Sequence, residues 1–218
     1  DVKTSGTIQA GEDVSMTSNS GKIESSSAVT TSGSVEISGS SGVNNSANIT
    51  ANDNVTMSSG AGSVTNSSDV KAGTGSVEIS GNGGVTNTAD ITANQNVNLS
   101  ANTGAISNAG SVTAETGNIG LNSNNGITST AEGSSLNVNS LNGSISAATT
   151  YGEVNISEII AGGNATASSQ NGSVSIGTVA GNDVVLTGGS NVTIGSVTGS
   201  DVAISGGSNS DVNVDNIT

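Results

Sequence analysis

The chain has no cysteine, proline, histidine, arginine, phenylalanine or tryptophan, and Tyr151 is its one aromatic residue. Without aromatic rings a wide globular core is hard to fill, because those rings bring the largest buried areas. With neither histidine nor cysteine, the usual bases, nucleophiles and soft metal ligands are missing. The absence of cysteine suits an extracellular bacterial protein that avoids disulfides, and it suits many cytosolic proteins equally. Positive charge is nearly absent too: Lys3, Lys22 and Lys71 stand against 17 acidic residues, for a net charge of -14. Nucleic-acid binding needs Lys and Arg to neutralise phosphates, so nucleic acid is not an expected partner. Anionic membrane surfaces are disfavoured for the same reason. No apolar run approaches the roughly 20 residues of a membrane span, so no direct membrane insertion is expected. No signal peptide begins the chain, and an export signal, if there is one, is expected outside these 218 residues.

Glycine supplies 32 residues, and Ser, Thr, Asn, Val and Ala make up most of the rest. Low hydrophobicity with excess negative charge is a signature of disorder. The regularity of Val and Ile argues otherwise. Residues 33–72 align with 75–114 at a constant offset of 42 without a gap; GSVEISG at 33–39 recurs identically at 75–81. The unit of 42 is itself two turns of about 21. Three apolar columns carry it. Val14, Val35, Val55, Val77, Val97 and Ile119 form one, each opening a Val-x-Ile/Met/Leu type of triplet. Val2, Ile23, Val43, Val64, Val85, Ile106 and Ile127 form the second, and Ile8, Val29, Ile49, Val70, Ile91 and Val112 the third.

Each triplet alternates apolar and polar residues, the period of a strand with one buried face. Gly, Asn, Ser or Asp follows, and these residues suit turns. Three short strands per turn at a fixed spacing predict an all-β fold, a parallel β-helix in which each strand lies above its equivalent one turn earlier. Parallel crossovers are normally right-handed, and a 21-residue turn departs from the 18 of left-handed hexapeptide coils, so a right-handed solenoid of about ten to eleven turns is expected. Asn45, Asn66, Asn87 and Asn108 fall 21 apart, two residues after a column residue, and predict an inward amide ladder. Ala51, Ala72, Ala93 and Ala114 form a second 21-residue column, expected at a corner with room only for a methyl group.

The regular repeat covers 1–127. Leu136, Ile145 and Val154 then follow at steps of nine, so 128–165 is read as a β-helix of shifted register. From Val174 a tighter rhythm of 18–20 residues per turn runs through 166–218, and all three regions are expected to form one continuous rod. Column residues stand next to both termini, which predicts an interior segment of a longer chain or a subunit that stacks end to end.

Solenoids of this kind also host polysaccharide-cleaving enzymes, which need clustered carboxylates. Glu36 and Glu78 share a column position but stand two turns apart, and a solvated face is the simpler reading. The chain is therefore not expected to be an enzyme, and no catalytic, cofactor-binding or metal site is assigned. Gly206–Asp211 departs from the calcium-binding nonapeptide at its fourth position, and Asp183, Asp201 and Asp211 read as turn residues. A threonine column of Thr50, Thr92 and Thr113, of the sort that could order ice, is interrupted by Lys71. Asn48, Asn54, Asn98 and Asn191 open Asn-x-Ser/Thr sequons, as a chain rich in these residues produces by chance.

The repeats TIQAGEDVSMTS, NITANDNVTMSS and DITANQNVNLSA resemble those of filamentous haemagglutinin-like exoproteins, most clearly over 6–127. The resemblance implies a bacterial two-partner-secretion substrate with a long right-handed β-helical shaft, exported unfolded through an outer-membrane pore and folded outside. It implies an extracellular or cell-surface location and a role in attachment. Three functions follow as expectations: a structural shaft displaying binding regions, a module binding a host or partner-cell glycan or protein along its side, and a filament subunit joined to other copies end to end.

Overall fold

A computed structural model describes residues 1–128 and 136–218. It contains strands and turns and no helix among those residues, and every strand pairing is parallel. The chain winds as a coil of about ten turns with three faces. Face A is a sheet of 10 strands, from Val14–Ser18 to Asp201–Ser205. Faces B and C together make the 16-stranded sheet.

Why the coil stacks as it does follows from the columns. On face A, Val14 sits beside Val35, Val35 beside Val55, Val55 beside Val77, Val77 beside Val97 and Val97 beside Ile119. Face B aligns Val2, Ile23, Val43, Val64, Val85, Ile106 and Ile127, and face C aligns Ile8, Val29, Ile49, Val70, Ile91 and Val112. These are the three columns of the sequence, rung for rung. From Ile23 onward the members of all three are buried; Val2, Ile8 and Val14, on the first rung, are only partly so. Burying a Val or Ile contributes about 1.5–3 kcal/mol, and the backbone bonds that accompany it exist only when a neighbouring rung is present. Stability is therefore a property of the stack.

Three short strands per turn describe the middle of the rod only. At the start, faces B and C are spanned by single long strands, Val2–Ala10 and Lys22–Thr31. Toward the other end they fuse again in Val154–Ala161, Val174–Ala180, Val192–Thr198 and Val212–Ile217. Between these ends the corner opens, and separate strands such as Gly42–Asn45 and Ile49–Ala51 flank it.

The coil continues through the region of shifted register. Val112 pairs with Val138, Ile119 with Ile145 and Ile127 with Val154, so this one turn takes 26 or 27 residues where its neighbours take 20 to 22. The extra residues fall between Ile127 on face B and Val138 on face C. Leu136 is not the face C column residue; it is buried at the corner, where its carbonyl accepts from the backbone N–H groups of Ser157 and Glu158. Beyond this point the coil is narrower. Before it, the step from face B to face C is six residues, as in Val85 to Ile91; after it the step is five, as in Val174 to Val179. The protein therefore has two cross-sections, joined at the long turn.

Corners are sealed from rung to rung. Ser123, Ser140 and Ser169 are buried, and their hydroxyls each donate to a glycine carbonyl, of Gly104, Gly117 and Gly152 respectively. The same hydroxyls accept from the N–H groups of Gly126, Gly143 and Gly172. Alternate rungs open face B with a glycine of positive φ, Gly84 at 138° and Gly126 at 129°, a conformation that side chains resist. These glycines stand 42 residues apart and show why the sequence repeats over two turns rather than one.

Candidate functional site

Inside the shaft, the polar feature with the most defined geometry is the asparagine ladder. Asn45, Asn66, Asn87 and Asn108 are all completely buried. The Nδ2 of Asn45 donates to Oδ1 of Asn66 at 2.7 Å, Asn66 to Asn87 at 2.6 Å, and Asn87 to Asn108 at 2.5 Å. Each Nδ2 also donates to the backbone carbonyl two residues on, of Ala47, Ser68, Ala89 and Gly110. The amides thus run head to tail and close the corner between faces B and C. Buried amides are tolerated only when bonded in this way.

One end of the ladder is incomplete. Asn45 Oδ1 is buried without a partner, because the rung before it carries Ser25, whose hydroxyl is too short to reach. Replacing Ser25 by Asn should supply the missing donor and stabilise the protein by about 1 kcal/mol, seen as a raised denaturation midpoint with unchanged m-value. A midpoint equal to or below that of the native protein would show that Asn45 Oδ1 carries no cost. Ser27 Oγ is likewise buried and unpartnered.

Ala51, Ala72, Ala93 and Ala114 align in consecutive pairs and are buried, as a corner of methyl groups demands. On the outer surface, Glu36 and Glu78 face solvent on face A with Thr56 between them, about 10 Å apart at two strand spacings. Asp183 and Asp201 stack on adjacent rungs of face A, and Gly206–Asp211 forms a turn in which Ser210 bonds the Gly207 carbonyl. Among the described residues no three groups of metal-ligating type come together. Thr50, Lys71, Thr92 and Thr113 align outward on face C, with Lys71 breaking the threonine row. Of the sequon asparagines, Asn48, Asn54 and Asn191 accept from backbone N–H groups of the next rung, of Asp69, Ser76 and Asp211, while Asn98 is exposed on face A.

Charge is sparse and exposed. Lys3 Nζ and Glu24 Oε2 lie 2.6 Å apart at the surface, and this bonded ammonium holds the Glu24 carboxyl below its ordinary pKa. Surface pairs of this kind add little to stability.

The outer faces carry shallow grooves rather than a deep cleft. One of about 390 Å³ runs across three rungs of face A, lined by Ser100–Asn102, Asn122–Asn124 and Ala148–Thr150. Another of about 300 Å³ lies toward the opposite ends of the same strands and reaches Asn164 and Thr166 on the next rung, and a third, of about 320 Å³, lies near Lys22 and Glu24. Sequence reasoning did not find the first two, since their shape comes from outward residues that no hydrophobic period marks. Tyr151 is 67% exposed.

No family model, curated protein or solved structure matches this chain.

Proposed function

We propose that the chain is a length of structural shaft from a large secreted or surface-anchored bacterial adhesin or fibre, which projects or displays binding regions outside the cell. The observation that carries this reading is the continuity of the stack. From Val2 to Ile217 every rung pairs with the next, even across the long turn, and the corners are bonded from rung to rung. The outward columns are mainly Ser, Thr and Asn, which suit a surface whose work is to remain soluble over great length. The repeat likeness to filamentous haemagglutinin-like exoproteins supports the same role and the same location.

The competing filament of stacked copies meets a geometric obstacle. Were copies of these 218 residues to stack end to end, the step of five from Val212 to Ile217 would face the step of six from Val2 to Ile8. Rungs of unequal perimeter leave one residue unpaired, as a bulge.

Electron microscopy of the native assembly tests the proposal. A fibre much longer than the ~50 Å that about ten rungs span at ~4.8 Å each is expected, with that spacing along its axis. The isolated 218-residue chain should sediment as a monomer. A short, compact native particle would overturn the shaft, and concentration-dependent filaments of the isolated chain would replace it with a self-stacking subunit.

A further inference from the structure

The surface of face A is not uniform along the rod. Outward positions there carry side chains on most rungs, but at Val97–Ala101, Ile119–Ser123 and Ile145–Thr149 the middle strand has Gly120 between Asn98 and Ser146. The missing side chain leaves a notch. It lies within the groove of about 300 Å³, which Gly120 lines with Asn98 and Ser146, while the groove of about 390 Å³ lies at the other end of these strands. Together they form a trough crossing the rod, about 16 Å long for five residues of strand.

Three polar groups of this trough, on Asn98, Ser100 and Asn122, differ from its bonded remainder and from those of the corners. Corner asparagines such as Asn54, Asn96 and Asn118 accept backbone N–H bonds from the next rung. Within the trough, the amides of Asn98 and Asn122 and the hydroxyl of Ser100 lie among the lining residues and make no bond to any described residue. An amide offers donors and an acceptor together, and a hydroxyl can do either. The lining holds no charged residue, and the chain's three lysines lie on other rungs. The trough's last residue, Thr150, is followed directly by Tyr151, the only ring in the protein and two-thirds exposed.

We propose that this trough binds a neutral oligosaccharide laid across the rod. Sugar hydroxyls match unpaired amides and hydroxyls, and the C–H face of a pyranose suits an exposed ring with an apolar body and a polar tip. An acidic glycan would meet a protein of net charge -14 without any cation in the trough. The inference does not depend on the shaft role, since a short particle could carry the same trough.

The test uses the 218-residue chain against an array of neutral oligosaccharides, with tetragalacturonate as the acidic probe, followed by NMR titration of the strongest neutral binder. Saturable binding of a neutral probe is expected, weakened at least about tenfold by Gly120→Gln, which fills the notch, and by Tyr151→Ala. Gly120 has no positive φ, and an added Cβ would meet the movable side-chain amides of Asn98, at 2.9 Å, and Asn122, at 3.7 Å, so the first variant should fold; thermal unfolding checks both. Binding that survives in both folded variants would overturn the proposal. So would an array without a neutral binder, or a preference for tetragalacturonate.

Discussion

Replacing Asn66 by alanine should lower the stability of the protein by about 3–5 kcal/mol, far more than its small change in volume suggests. Three partners lose their bond at once: Asn45 Nδ2, Asn87 Oδ1 and the Ser68 carbonyl. Asn66 and its two ladder neighbours are completely buried, so water cannot replace what is lost. Each stranded group costs about 1–3 kcal/mol, and Asn45 keeps one of its donors satisfied through Ala47, which sets the sum below the upper limit. Chemical denaturation reads the effect directly. The double variant that removes Asn66 and Asn87 should cost less than the two single losses added, because the bond between them is counted once. Additive losses would mean that the amides act independently and that the column is not a ladder in energy.

The second large effect concerns glycines that have no room for a methyl group. Gly104 stands at the corner between faces A and B, and a Cβ there would lie 1.9 Å from the Gly83 carbonyl oxygen of the neighbouring rung. That contact is with backbone, which cannot swing aside. Gly104→Ala should therefore push two rungs apart and cost about 2–3 kcal/mol, near the upper range for overpacking. Gly60 supplies the control, since its Cβ would meet nothing nearer than 3.7 Å and its φ is not positive. Gly60→Ala should leave stability unchanged or raise it by about 0.4–1 kcal/mol through the unfolded chain. Equal effects at the two positions would show that rung spacing, and not glycine's backbone freedom, has been misjudged.

Much of this architecture could be read from residue spacing. Columns such as Val14, Val35 and Val55 are legible because the same buried positions recur on every turn and leave a strict period in an otherwise polar chain. Asn45 to Asn108 were legible for the same reason, since a side chain that must meet its copy cannot drift from the register. Leu136 shows where this logic stops. It is apolar and buried, yet it fills a corner, and Val138 two residues later takes the face position. An insertion breaks the period that would have told them apart. The fusion of faces B and C into long strands was also hidden, because the apolar columns run through split and fused corners alike. The trough on face A left no trace in any period. It depends on a glycine at an outward position, Gly120, where hydrophobic patterning is silent.

The direction of the inter-rung bonds has a mechanical consequence. They lie along the long axis, so a pull on the two ends loads them in opening rather than in shear. Such bonds yield one row at a time. Each yielding coil of about 20 residues would release some 65 Å of extended chain at ~3.4 Å per residue, in place of the ~4.8 Å it occupied. The force would stay near that needed to peel a single coil while the length grew many-fold. A tether built this way would pay out line under load and rewind when slack, with the buried amides marking the coils that let go last.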